Sequence, residues 1–102
     1  MKSIYSKGEE TKGTIPVEGS TECVFRKQIF KVDPPHSKQY VVEVHKVGSS
    51  YLIYAAYGRI GNSPVITYKG MGTAENTSKA RAMNIIEKKI RERGYSREIT
   101  IE

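Results

Sequence analysis

The segment QYVVEVHKVGSSYLIYAAYGRI, residues 39–60, decides the fold, because two strand-like stretches flank one short turn. From Gln39 to Val47 apolar and polar residues alternate, which is the period of a strand with one buried face. Gly48-Ser49-Ser50 is the turn, and aromatic and aliphatic residues fill Tyr51 to Ile60. The segment therefore predicts an antiparallel β-hairpin. The alternation places Tyr40, Val42 and Val44 on one face, and Glu43 and His45 on the other.

Strand-like stretches also lie on both sides of this hairpin. Glu22 to Val32 is rich in β-forming residues until Asp33-Pro34-Pro35 stops it. After the turn Gly61-Asn62-Ser63-Pro64, Val65 to Tyr68 predicts a further short strand, and Tyr95 to Ile101 has the composition of a final edge strand.

The apolar period changes after these strands and predicts one helix from about Thr77 to Arg93. Asn76 or Thr77 is the expected N-cap, and Gly94 is the expected residue that ends the helix. The apolar stripe consists of Ala82, Met83, Ile86 and Ile90, with Ile85 on its flank. We therefore predict an α+β fold, an antiparallel sheet of four or more strands with one main helix packed against it.

A length of 102 residues accommodates one domain. Residues 1–20 are rich in Gly, Ser, Thr and Glu, so we interpret them as a flexible leader with a short strand near Lys2 to Tyr5, and residues 21–102 as the folded domain. Neither a transmembrane stretch nor a signal-peptide pattern is found, and we expect a cytoplasmic protein, associated with the nucleoid, or nuclear in a eukaryote. Cys23 has no partner for a disulfide or a zinc site, and its apolar neighbours suggest a core or half-buried strand position.

Charge narrows the choice of partner. Seventeen Lys and Arg against eleven Asp and Glu give a net charge of +6, which favours an anionic partner, most commonly nucleic acid, over a merely soluble surface. The basic residues at the end of the helix have two interpretations, compensation of the helix dipole or direct contact with a ligand. These residues are Lys88, Lys89, Arg91 and Arg93.

Signals of catalysis are missing from the sequence. His36 and His45 have no metal-ligand spacing, and no motif places a pair of carboxylates. We interpret His36 as an exposed loop residue and His45 as a solvated imidazole on the polar face of its strand. We expect a protein that is not an enzyme, with no catalytic residues, no metal and no cofactor.

The stretch YGRIG, Tyr57 to Gly61, resembles the W-G-R-[VI]-G signature of the WGR domain, with Tyr57 in place of the Trp. This domain occurs in DNA-dependent poly(ADP-ribose) polymerases, in bacterial molybdate-metabolism regulators and in short stand-alone bacterial proteins. The similarity covers about residues 22–96. The further similar segments are Phe30-Lys31-Val32-Asp33, residues 37–44, Ala80, residues 86–90 and Gly94-Tyr95.

The resemblance implies a WGR-like domain that binds nucleic acid, with DNA favoured over RNA. In the best understood relatives the Trp packs on sugar at the 5′-terminal region of a broken strand, and basic and amide side chains hold phosphates. Lys38 matches the family's Asn-Lys position, and Ser37 stands where the family often has Asn, so the resemblance implies a phosphate contact there. The alternative for Lys38 is a solvated lysine at the edge of a strand.

The geometry of a strand independently supports a contact surface that contains Tyr57 and Arg59, because side chains two residues apart point to the same face of the sheet. Tyr57 offers a ring for stacking and Arg59 a planar donor fork for phosphate. Lys69 directly follows the next predicted strand, where a basic side chain can reach the same surface. The alternative is an aromatic core residue beside a surface arginine. We predict a small nucleic-acid-binding module that contacts backbone or ends without sequence specificity. The competing hypothesis is a protein-protein interaction module that uses the same sheet face without nucleic acid.

Overall fold

The computed structural model describes residues 2–3, 14–32, 37–96 and 100–101. Four strands form one antiparallel sheet in sequential order, one helix packs against it, and two short strands pair separately. The prediction of an α+β fold with a four-stranded antiparallel sheet and one helix is confirmed. The elements are β1 (Lys2–Ser3), β2 (Ser20–Lys31), β3 (Lys38–Val47), β4 (Ser50–Arg59), β5 (Val65–Gly72), α1 (Glu75–Arg93) and β6 (Thr100–Ile101).

The predicted hairpin is the centre of the sheet. Strands β3 and β4 pair without interruption from Lys38 opposite Arg59 to Val47 opposite Ser50. Gly48 has φ of 61°, the left-handed conformation that a tight two-residue hairpin turn requires and that glycine adopts easily. This register fixes which side chains meet at the open end of the hairpin.

Helix α1 covers one face of the sheet, which we call the helix face. Ala82 and Ile86 of the predicted apolar stripe are fully buried there, whereas Met83, Ile85 and Ile90 are half-buried at the margin of the core. Burial of aliphatic side chains on both layers supplies the main driving force for this packing. The buried cluster comprises Ile29, Tyr40, Val42, Val44, Ile53, Ala55, Ala82 and Ile86.

The ends of α1 differ in how well the sequence predicted them. The helix begins at Glu75, and its N-cap is Ala74, which makes no side-chain capping bond, so the predicted caps Asn76 and Thr77 are wrong. Glu75 in the first turn complements the helix dipole and pairs with Lys79 at 2.7 Å. At the other end Gly94 has φ of 76° and ends the helix as predicted.

The second face of the sheet, which we call the back face, is covered by part of the region interpreted as a leader. Ile15 is only 5% exposed and packs with Val41 and Ala56, and Val17 borders the same cluster. Ser20 is already the first residue of β2. Within the described residues, the stretch from residue 14 to residue 19 therefore lies on the sheet, and we call it the strap.

The remaining expectations concern the two termini, Cys23, the residues that follow β2 and membrane spanning. Thr100–Ile101 pairs with β1 rather than with the main sheet, while Ser96 forms an antiparallel bridge with Phe30 at the β2 edge. Cys23 is buried, as predicted.

Asp33-Pro34-Pro35 and His36 lie outside the described residues. Among the helices that are described, none is long and apolar enough to span a membrane.

Candidate functional site

A cleft of about 320 Å³ opens on the helix face, between the sheet and the C-terminal end of α1. Five cationic side chains and three tyrosines line the cleft. The described lining residues include no carboxylate. We call this concavity the basic cleft. Its lining residues are Lys31, Lys38, Tyr40, Tyr57, Lys69, Lys89, Arg93 and Tyr95.

A row of three cations crosses the sheet at this end. Lys38 is the register partner of Lys31 on one side and of Arg59 on the other. Side chains of register partners point to the same face, with Cβ atoms about 4.5–5.5 Å apart, and like charges placed so are destabilising. None of the three forms an ion pair with a carboxylate among the described residues. The fold thus brings positive charges together without neutralising them there.

The aromatic side chains of the cleft are centred on Tyr40. The Tyr57 ring stacks on it with centroids 5.4 Å apart, and the Tyr95 ring meets it edge-on at 6.1 Å. Lys89 Nζ lies 5.0 Å from the Tyr40 ring centroid, which is cation–π distance. The Thr67 hydroxyl donates to the Tyr57 hydroxyl at 3.4 Å. Tyr57 is thus half-buried against the core and also lines the cleft.

Tyr40 combines burial with an unused polar group. It is 3% exposed, and its hydroxyl has no hydrogen-bond partner among the residues that the structure describes. Burial, reinforced by the neighbouring Tyr57 and Tyr95, raises the pKa of Tyr40 to about 12. The phenol therefore stays protonated at neutral pH and is available as a hydrogen-bond donor.

The predicted site residues occupy different places around the cleft. Tyr57, Lys38 and Lys69 line it. Arg59 is exposed at the end of β4, opposite Lys38, and is not among the lining residues. Ser37 is half-buried, and its carbonyl accepts a hydrogen bond from the Ile60 amide at 3.0 Å, so the contact seen there is a backbone contact.

Sequence reasoning did not single out Lys31 and Tyr95 as site residues. A usable signal existed for Lys31, because it and Lys38 stand at the ends of two consecutive predicted strands, which would place them opposite each other in an antiparallel pair. Lys89 and Arg93 belong to the basic helix end for which two interpretations were open. Both side chains line the cleft, although their position in the last turns also suits the helix dipole.

The back face carries a second polar cluster around Glu43, which is fully buried. Its Oε2 accepts hydrogen bonds from the Thr14 amide at 2.7 Å, the Thr14 hydroxyl at 3.0 Å and Arg26 Nε at 3.0 Å. Its Oε1 accepts from the Ile15 amide at 3.0 Å and lies 2.8 Å from His45 Nε2. Burial alone would raise the pKa of Glu43, but the hydrogen bonds from His45, Ile15 and Thr14 outweigh it and lower the pKa.

His45 is 2% exposed, so the expectation of a solvated imidazole is wrong. Cys23, Glu43 and His45 place three potential metal-ligating atoms within 4.8 Å of one another. Both oxygens of Glu43 and both nitrogens of His45 already have hydrogen-bond partners, with Ser20 Oγ 2.7 Å from Nδ1. Burial raises the pKa of the Cys23 thiol to about 11, and the thiol donates to the Phe25 carbonyl at 3.1 Å. These partners indicate a network that ties the strap to the sheet rather than a metal centre.

Comparison with known proteins finds no matching family model, no matching curated protein and no matching solved structure. The resemblance to the WGR domain rests on the residues quoted above and stays a prediction.

Proposed function

We propose that this chain is a small nucleic-acid-binding module that holds the phosphate backbone in the basic cleft. One observation carries the proposal: five cations line a single concavity, and no carboxylate is among its described lining residues. Like charges in adjacent strands cost folding free energy, and a bound polyanion offsets that cost. A solvated surface chosen only for solubility would intersperse both signs.

The chemistry of the lining residues favours backbone contacts over reading of base sequence. Lysine and arginine hold phosphates, and phosphate contacts position a ligand without carrying sequence information. Tyrosine rings pack on sugars or unpaired bases of any kind. We therefore propose binding without sequence specificity, and the resemblance to WGR domains favours DNA over RNA.

The first test is fluorescence anisotropy at low and rising salt with single-stranded, blunt, nicked and 5′-phosphorylated duplex DNA. The few phosphate contacts of one small domain should give a slope of log affinity against log salt of about −2 to −5, at ~0.7–0.9 per phosphate. Absence of binding to every member of this panel at low salt would reject the proposal in favour of the protein-interaction module. Binding to a protein partner through an apolar docking face should depend far less on salt.

The second test separates the cleft from the overall positive charge. Lys38→Glu removes one phosphate contact and adds a repulsive charge, so the affinity should fall at least about tenfold. Lys46→Glu is the matched control, because Lys46 lies on the same strand but about 26 Å away at ~3.3 Å per residue. Equal losses in both variants would mean that the net charge, and not the cleft, attracts the ligand.

A further inference from the structure

The basic cleft is a concavity, and its tyrosine rings belong to its walls. In a duplex the faces of the bases are covered by their neighbours in the stack, and a protein reads the base edges by inserting a helix or a ribbon into a groove. Unpaired bases can instead be splayed out and stacked on aromatic side chains. Tyrosine rings in the wall of a cleft are therefore suited to an unpaired nucleotide, whose base can leave the stack, rather than to a base within a duplex.

We infer that the basic cleft takes a nucleotide of a single strand, so that this domain prefers single-stranded nucleic acid to a duplex of the same length. The inference rests on the proposed function and narrows its ligand class. A strand within the cleft meets cations from two walls, Lys31, Lys38 and Lys69 from the sheet, and Lys89 and Arg93 from the helix. Cationic grooves with aromatic stacking surfaces are the usual design of single-strand binders.

The hydroxyl of Tyr40 is an independent observation that favours a ligand inside the cleft. The residue is only 3% exposed, yet its hydroxyl lacks a partner among the described residues. Buried hydroxyls in proteins are nearly always hydrogen-bonded, to protein, water or ligand. Tyr40 lines the cleft, and its hydroxyl, which is enclosed in the unbound domain, would suit a phosphate, sugar or base oxygen as a protonated donor once an entering strand displaces the side chains around it. A duplex that lies across the rim would not bring such an oxygen to it.

The experiment compares three ligands of about 20 nucleotides, longer than the ~4–16 that a small single-strand-binding fold covers. An oligothymidylate, an abasic strand with the same number of phosphates, and a blunt duplex of the same length are titrated with the full chain at low salt. The oligothymidylate should bind at least about tenfold more tightly than the other two, because only its bases can stack on the rings. A fourth titration, with an oligouridylate of the same length, shows whether the domain prefers single-stranded DNA or single-stranded RNA.

Tyr40→Phe removes only the hydroxyl. It should weaken binding of the oligothymidylate by about threefold to tenfold, the worth of one hydrogen bond, and leave the melting temperature unchanged or slightly raised, because the hydroxyl has no partner in the unbound domain among the described residues. Tyr54→Phe is the matched control, because Tyr54 lies on the back face, where its ring contacts Tyr68. An unchanged oligothymidylate affinity in Tyr40→Phe would overturn the role assigned to this hydroxyl.

The outcomes separate this inference from the proposed function. Duplex affinity equal to or higher than single-strand affinity would overturn the single-strand preference and leave nucleic-acid binding in place. Equal affinity for the abasic strand would overturn base stacking in the cleft. Absence of binding to all of these ligands would overturn the inference and the proposed function together.

Discussion

The two faces of the sheet hold charged groups in opposite ways. On the back face, the Glu43 carboxylate is enclosed and accepts hydrogen bonds from Arg26 and from the strap, with His45 2.8 Å from it. On the helix face, Lys31 and Lys38 face each other at the mouth of a cleft that no described carboxylate lines. Removing the enclosed carboxylate would leave its partners unpaired, whereas the like charges gathered at the cleft cost stability, a cost that the proposed polyanion would offset.

The largest effect is expected on the back face, from Glu43→Ala. The substitution leaves Arg26 without its carboxylate and the Thr14 and Ile15 amides without an acceptor. Breaking a buried pair in this way costs about 3–5 kcal/mol of folding free energy. A urea titration measures it, with Glu75→Ala as the control, because the exposed Glu75–Lys79 pair contributes only ~0.3–0.5 kcal/mol. Equal small losses would mean that the Glu43 network does not stabilise the fold.

Acid should weaken the same network. The pKa of Glu43 is lowered in the folded state from its ordinary value of 4.5. Its contribution to stability is therefore complete above that ordinary value and is lost as the pH falls through the lower, folded pKa. The difference in unfolding free energy between the natural chain and Glu43→Gln should shrink as the pH falls below about 4.5. A difference that stays constant over this range would contradict the assigned pKa shift.

The sequence predicted the parts of the fold that depend on short-range pattern. Alternation in β3 separated Val42 and Val44 from Glu43 and His45, and this separation is confirmed. The burial of His45 was not predictable, because alternation shows that two residues share a face but not what covers that face. The covering strap is distant in sequence, and a composition rich in glycine and serine gave no signal for the burial of Ile15.

The candidate site shows the same limit. The WGR-like signature and the alternation of side chains along a strand predicted Tyr57, Arg59, Lys38 and Lys69 as site residues. These residues lie on the hairpin and the neighbouring strand. Tyr95 joins them only because Gly94 turns the chain back toward the sheet after the helix. The alternation placed Tyr40 on one face with Val42 and Val44, and all three are core residues, but the position of Tyr40 in the cleft depends on tertiary packing. Long-range packing therefore added residues that spacing along the chain does not reveal.

On the helix face, Arg59→Ala should change binding and not stability. The side chain is exposed and lies opposite Lys38, so its removal relieves a like-charge pair and should leave the melting temperature unchanged or slightly raised. Binding should weaken by ~1.5–3 kcal/mol, the worth of a charge-assisted phosphate contact. Arg91→Ala is the control: neither arginine lines the cleft itself, but Arg59 is the register partner of Lys38, which does, whereas Arg91 is an exposed cation in the last turn of α1. Unfolding of Arg59→Ala would instead identify an internal clamp, and the ligand surface would then be sought at the basic helix end.

The smallest effect is expected from Tyr57→Trp, which restores the residue of the WGR signature. The indole offers a larger face for stacking, so affinity for single-stranded DNA should be unaltered or rise by up to about threefold. Little is lost in exchange, because the hydrogen bond from Thr67 to the Tyr57 hydroxyl is long, at 3.4 Å. Tyr68→Trp, which adds the same ring to a 54% exposed position on the back face, should leave affinity unchanged. A tenfold weaker affinity in Tyr57→Trp at an unchanged melting temperature would show that the tyrosine itself is required. The resemblance to the WGR signature would then not extend to how this ring meets its ligand.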